Sequence, residues 1–353
     1  MGSESDRFSG ARRHLMERLF PEGIPRLWCP SLTHYAEDGT LDRARMRAHL
    51  KFMQPAVKGL LVPGSTGEGW EMSDAELGEL VDFMLDEIRG GRTRLLVGVL
   101  KTDARDVVAT VRRTMAALRR RTGAEDPVEA LARSGACGFT ICAPSGAGRS
   151  QQEIEAALEE VLSLDLPFAL YQLPQVTQNE IAPGTVEALS GRHPGFYLFK
   201  DSSGGDRVAR SGFRGAFLVR GAEGRYLEHC AGAGGEYDGF LLSTANGFGR
   251  QLGNMLAHVD RGEMKAAEAF SEKLTAICAQ LFELAGRVGY GNAFTNANKA
   301  MDHFFAHGPG AGAVAAPLLH SGRRLPRELI EAAGAILASH DAMPRRGYLE
   351  GTP

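Results

Sequence analysis

The sequence predicts a (β/α)8 barrel followed by a helical extension. Apolar runs of strand length recur eight times before about residue 244, and amphipathic stretches at helical spacing lie between most of them. The runs are nearly continuous rather than alternating, as in a parallel sheet covered on both faces. Eight such units in about 250 residues is the usual size of the closed barrel. An open doubly wound sheet is the alternative, but no G-x-G-x-x-G follows the first run.

In chain order the runs are "PRLWCPSLT" (25–33), "KGLLVPG" (58–64), "RLLVGVL" (94–100) and "CGFTICA" (137–143). They continue as "PFALYQL" (167–173), "GFYLFK" (195–200), "AFLVRG" (216–221) and "DGFLLST" (238–244). Stretches such as "SDAELGELVDFMLDEIR" and "QQEIEAALEEVLSL" supply the helices between them. "EMSDAE" reads as a capping box, with Ser73 as N-cap and Glu76 three residues on. The Arg-rich "VRRTMAALRRRTGAEDP" reads as a basic helix end and loop on a solvated surface. After residue 250 only helical patterns remain, interrupted by "HGPGAGAVAAP", whose composition predicts a flexible linker. The expected division is a barrel with an N-terminal helix over 1–248 and a helical domain over 249–353.

Composition narrows the function classes. A net charge of −3 gives no electrostatic reason for nucleic acid or an anionic membrane as partner, so a small molecule is expected. The five cysteines, Cys29, Cys137, Cys142, Cys230 and Cys278, are scattered, with no C-x-x-C pair and no zinc-ligand spacing. That pattern fits a reducing compartment. The first residues have no apolar core of signal-peptide length and no stretch approaches a membrane span, so a cytoplasmic location is expected.

Side chains at the C-terminal ends of barrel strands face the active site. Lys200 ends the sixth run, Tyr171 lies near the end of the fifth, and "GSTGEG" (64–69) follows the second. Consecutive strands lie about 4.8 Å apart, so Tyr171 and Lys200 can approach one another. An amine in a low-dielectric pocket is more readily neutral, because desolvation disfavours the ammonium. A neutral amine attacks a carbonyl to form a Schiff base, whose iminium stabilises a neighbouring carbanion. A phenol beside it is suited to proton transfer. The hydroxyls of Ser65 and Thr66, on a glycine-rich backbone, suit a small carboxylate. The loop lacks the ending of a nucleotide P-loop, which excludes ATP. Glu68 reads as a residue that ties the loop down, and Gly64, Gly221 and Leu241 as lining positions. Taken singly, each has a plainer reading: a surface lysine, a core tyrosine, a turn. Lys101, which ends the third run, is a rival lysine without the aromatic run, and His34, Tyr35 and Asn246 also fall near strand ends. "SGAGRS" (145–150) is only a weak phosphate-loop pattern.

In combination, "PGSTGEGWEMSDAE", "LYQLP" and "LFKDSSG" resemble the dihydrodipicolinate synthase / N-acetylneuraminate lyase family of pyruvate-dependent class I aldolases, in order and in spacing. The resemblance runs from "SLTHYAEDGTLD" to "NAFTNANKAMDHF". It implies that Lys200 forms the Schiff base with pyruvate or another 2-oxo acid, that Tyr171 transfers the proton, and that Ser65 and Thr66 hold the carboxylate. It implies no metal or organic cofactor and a homo-oligomer, a dimer or tetramer. Two departures stand out. "CAPSGAG" puts Ser145 and Gly146 where many members carry Pro-Tyr-Tyr, and "QVTQ" puts Val176 where the synthases hold a second carboxylate with arginine. A true dihydrodipicolinate synthase is therefore not expected. The expected activity is that of a Schiff-base-forming aldolase or lyase. The alternatives are a keto-deoxy sugar acid dehydratase or lyase and, from another class, a non-catalytic metabolite-binding barrel. The lengthened segment around "RRRTGAEDPVEAL" belongs either to the mouth or to an oligomer contact.

Overall fold

A computed structural model describes Phe8 and residues 10–350. Eight strands form the barrel: β1 (Leu27–Pro30), β2 (Gly59–Val62), β3 (Arg94–Val99), β4 (Ala136–Cys142), β5 (Phe168–Gln172), β6 (Phe196–Asp201), β7 (Phe217–Arg220) and β8 (Gly239–Leu241). They follow one another in space as in sequence and close, with β1 parallel to β8 through Leu27↔Phe240 and Trp28↔Leu241. Each overlaps its predicted run. All strand residues but Arg94 are buried, which is why the runs are apolar without alternation. Gly59 is a packing requirement, because a Cβ there would lie 2.1 Å from the Trp28 ring.

The N-terminal helix Gly10–Leu19 closes the end where strands begin. Arg12 donates to the carbonyls of Ser190 (2.6 Å) and His193 (3.0 Å), just before β6, and Arg94 donates to Leu19 O (3.0 Å). Phe20 packs edge-on against Trp28 and tilted against Tyr197. The lengthened segment forms the end of helix Ala104–Thr122 and a further helix, Pro127–Ser134, capped by Asp126. That helix leads into the start of β4, and Arg18 of the N-terminal helix pairs with Asp126 at 2.6 Å. The segment thus lies at the closed end, away from the mouth. Ser73 and Glu76 form the predicted capping box of helix Asp74–Glu87.

Helices Ala245–Asp260, Met264–Ala285, Ala293–His307 and Arg327–Ser339 follow β8. The first has non-helical dihedrals at Phe248, so residue 248 falls at a kink inside it. The segment expected as a flexible linker is ordered. Gly308–Ala313 forms 3₁₀ turns, and the buried Ala311 accepts from the His303 ring at 2.9 Å. Backbone hydrogen bonding to a buried ring overrides the glycine-rich composition. Among the described residues no helix is long and apolar enough to cross a membrane.

Two buried polar networks bind these helices to the barrel. Lys299 pairs with Glu68 at 2.5 Å and donates to Leu318 O (2.6 Å), while the His320 N–H donates to Glu68 (2.8 Å). Burial lowers the Lys299 pKa, and Glu68 opposes that shift. In the second network Asp302 accepts from Arg45 (3.0 Å) and Tyr348 (3.0 Å), and His34 and His49 bond to each other (3.1 Å). His49 also donates to Asn246 O (2.9 Å). Burial holds His34 well below its usual value and His303 down at about 4.

Replacing Lys299 by Met leaves Glu68 buried without its cation. The expected cost is about 3–5 kcal/mol, read as a lower denaturant midpoint; an unchanged midpoint would count against a stabilising role for the pair. The histidines give a second expectation. Their folded values lie below the ordinary 6.5, so the unfolded chain binds protons that the folded chain refuses. Their stability contribution is complete above 6.5 and is lost as pH falls through about 4. Thermal midpoints measured from neutral to acid pH should fall, and less steeply for His303→Gln than for the parent.

Candidate active site

Parallel register places Tyr171 of β5 directly opposite Lys200 of β6. Both are buried, and the lysine Nζ stands 3.7 Å from the centroid of the Tyr171 ring. The amine thus rests on the ring face, a cation–π geometry, rather than bonding to the phenol oxygen. Its neighbour Asp201 is occupied elsewhere, accepting from the Ser203 N–H (2.9 Å) and the Tyr237 hydroxyl (3.3 Å). Burial raises the Asp201 pKa. Among the described residues, ion pairs form at Lys101–Asp74 and Lys299–Glu68 but none forms at Lys200. The rival Lys101 is therefore a surface ion-pair residue.

Tyr171 belongs to an apolar cluster. Leu100, Cys142, Tyr171 and Leu173 form a buried cluster with the partly covered Trp70 packed against it. Cys142 is Tyr171's register partner on β4, and burial pushes its thiol up to about 12. Gly221, beyond β7, leaves the lysine its space: a Cβ there would lie 2.8 Å from Lys200 Cε and 2.1 Å from Ser202 Oγ. Leu241 is buried on β8 opposite Trp28, within the barrel core. Gly64 carries the chain tightly past β1, since a Cβ would lie 2.6 Å from that of Pro30.

Ser65 and Thr66 are buried just beyond β2. The Ser65 carbonyl accepts from Asn292 (3.2 Å) and Thr295 (3.2 Å), and the Thr66 carbonyl accepts from Thr295 (3.1 Å). These donors lie at the start of helix Ala293–His307, so the helical extension fixes the loop's shape. The Trp70 indole N–H donates to Ser65 Oγ at 2.8 Å. Indole is a donor only, so Ser65 accepts there and keeps its own proton for another acceptor.

Sequence reasoning missed Trp70 and Glu223. Glu223, two residues past Gly221, accepts from Ser243 (2.7 Å), Thr244 N–H (3.1 Å), Thr244 Oγ1 (2.7 Å) and Tyr226 (2.9 Å). The available signal was a carboxylate two residues past the glycine that follows β7. At the variant strand-4 position, Gly146 N–H donates to Thr177 O (2.8 Å) and Asn179 donates to Pro144 O (2.7 Å), folding that loop onto the segment beyond β5. His34 and Asn246 are structural. Among the described residues, the group with metal-ligand spacing is His34, His49 and Asp302, within 4.8 Å of one another. Arg45 already balances that carboxylate, and the facing ring nitrogens bond to each other and to Asn246 O.

Fold and site together define a closed parallel barrel with a buried, unpaired lysine at the mouth of its strands. The profile of the Dihydrodipicolinate synthetase family matches residues 122–289, the stretch that carries Tyr171 and Lys200. A 4-hydroxy-tetrahydrodipicolinate synthase of Mycolicibacterium paratuberculosis is 26% identical over 72% of this chain and 79% of its own length. One from Acidothermus cellulolyticus is 26% identical over 76% and 81%. Among solved structures, YagE, a prophage protein of the dihydrodipicolinic acid synthase family from E. coli K12 in complex with pyruvate, superposes with a TM-score of 0.71. It is 20% identical and covers 90% of this chain and 99% of that one. KD(P)GA from T. tenax superposes at 0.67, with 20% identity over 90% and 99%. At these identities the superpositions establish the fold.

Proposed function

We propose that the protein is a Schiff-base-forming class I aldolase or lyase acting on pyruvate or another 2-oxo acid through Lys200. The observation that carries this reading is the amine itself: buried, without a counter-charge, and lodged on the face of Tyr171. The chemistry needs an amine that is not tied to a carboxylate, and Lys200 forms no ion pair among the described residues. The synthase relatives, and a YagE structure solved in complex with pyruvate, support the same class of substrate.

In this mechanism Ser65 and Thr66 hold the substrate carboxylate. Lys200 Nζ adds to the keto carbon, water leaves, and an iminium forms. In the cleavage direction the hydroxyl on the departing carbon loses its proton and the C–C bond breaks. Its electron pair enters the iminium to give an enamine, and an aldehyde is released. The enamine takes up a proton, and water hydrolyses the imine. The Tyr171 hydroxyl carries protons in these steps. Condensation is the reverse. With Val176 and Ser145–Gly146 at the two variant positions, the second substrate differs from that of the synthases. Assembly as a homo-oligomer and a cytoplasmic location remain part of the proposal.

Borohydride reduction in the presence of pyruvate, followed by peptide mass mapping, should place an adduct on the Lys200 peptide; Lys200→Ala should abolish it. An unmodified Lys200 peptide would sink the reading. A double-mutant cycle tests the loop. Trp70→Phe keeps the ring but removes the donor, and the expected loss in kcat/KM is about five- to tenfold, the order of one hydrogen bond. In a Ser65→Ala background the same change should have little effect, because the acceptor is gone. Full additivity would show that Trp70 acts by packing alone.

A further inference from the structure

A cavity of about 380 Å³ lies beyond the ends of β6 and β7, of a size suited to a small ligand. Its barrel side includes Gln175, Ser202, Ser203 and Glu223, and its outer side is formed by Phe282 and Phe294 with Thr275, Cys278 and Ala279. Ser202 stands two residues beyond Lys200. Phe294 precedes Thr295, whose hydroxyl holds the carbonyls of Ser65 and Thr66. The cavity adjoins the lysine through Ser202: a Cβ on Gly221 would lie 2.1 Å from Ser202 Oγ and 2.8 Å from Lys200 Cε, so the two side chains flank the same glycine. On the Schiff-base reading, this neighbouring space is the one that would receive whatever is joined to, or released from, the enamine carbon.

Its chemistry is one-sided. Glu223 is the single charged residue on its wall, and no lysine or arginine lines it. Both oxygens of Glu223 are already met by the Ser243, Thr244 and Tyr226 donors, so the carboxylate is held in place. A phosphate or carboxylate entering here would give up water to face that carboxylate, with no cation among the lining residues to offset the loss. An uncharged apolar body loses nothing of the kind and covers aromatic surface. The Phe282 and Phe294 rings, 5.5 Å apart at 63°, present both an edge and a face.

Resting on the Schiff-base reading, we infer that the second carbonyl substrate is an uncharged aldehyde with an apolar body, aromatic or branched aliphatic. In the condensation direction the enamine carbon supplies the electron pair of the new C–C bond. The aldehyde oxygen takes a proton, and water releases the product from Lys200. Electrons balance between the two substrates, with water as the only other reactant.

The test uses the full chain with pyruvate and matched concentrations of benzaldehyde, isobutyraldehyde, glyoxylate and succinic semialdehyde, with products quantified by mass spectrometry. The uncharged aldehydes should exceed the anionic ones by at least about tenfold. Ala279 is solvent-exposed on its helix yet lines the cavity, so Ala279→Arg introduces a cation without disturbing the core. It should shift the ratio toward anionic aldehydes by about tenfold while leaving borohydride trapping of pyruvate unchanged. A parent preference for anionic aldehydes, an unmoved ratio in folded Ala279→Arg, or trapped pyruvate with no product from any aldehyde would each overturn the inference. Failure to trap pyruvate at all overturns the Schiff-base reading, and this inference falls with it.

Discussion

The buried Glu68–Lys299 ion pair is the constraint on which the mouth of this barrel depends. It joins the loop beyond β2 to the helices that follow β8, across more than half the sequence. A pair removed from water holds only where its remaining hydrogen-bonding capacity is met. Here Leu318 O and the His320 N–H meet it. With Glu68 fixed, at a left-handed φ of 62°, the loop's carbonyls reach Asn292 and Thr295, and the helical extension becomes one wall of the mouth.

Two buried lysines illustrate how environment divides labour between identical side chains. Lys299 has a carboxylate and a carbonyl within hydrogen-bonding distance, and its charge holds the fold together. Lys200 has the aromatic face of Tyr171, with its adjacent carboxylate bonded elsewhere. A lysine held in an ion pair is a poor nucleophile, whereas one with no ion pair among the described residues is available for carbonyl chemistry. Gly221 is part of that arrangement, because any side chain there would occupy the lysine's path.

The legible part of the molecule was the part written in local pattern. Eight buried runs located eight strands, and the capping box at Ser73 and Glu76 located a helix start. The linker expectation failed at Gly308–Ala313 because a ring–carbonyl bond from His303 supplies order that composition does not record. Trp70 was passed over because its role depends on a hydrogen bond to Ser65 made inside a loop that had no predicted geometry. Phe282 and Phe294 read simply as helix residues, since nothing local tells a helix face on the core from one over a cavity.

The sequence by itself determined the order of strands and helices, and with it the positions of Lys200, Tyr171, Ser65, Thr66 and Gly221 at or just beyond strand ends. A parallel barrel delivers every strand end to one face, so strand-end position is enough. Only the tertiary structure decided how those residues meet. The amine lies on the Tyr171 ring rather than at its hydroxyl, Glu68 is locked to Lys299, and Glu223 and two phenylalanines line a cavity beyond the ends of β6 and β7. Those outcomes rest on contacts between residues far apart in the chain, and no local period encodes them.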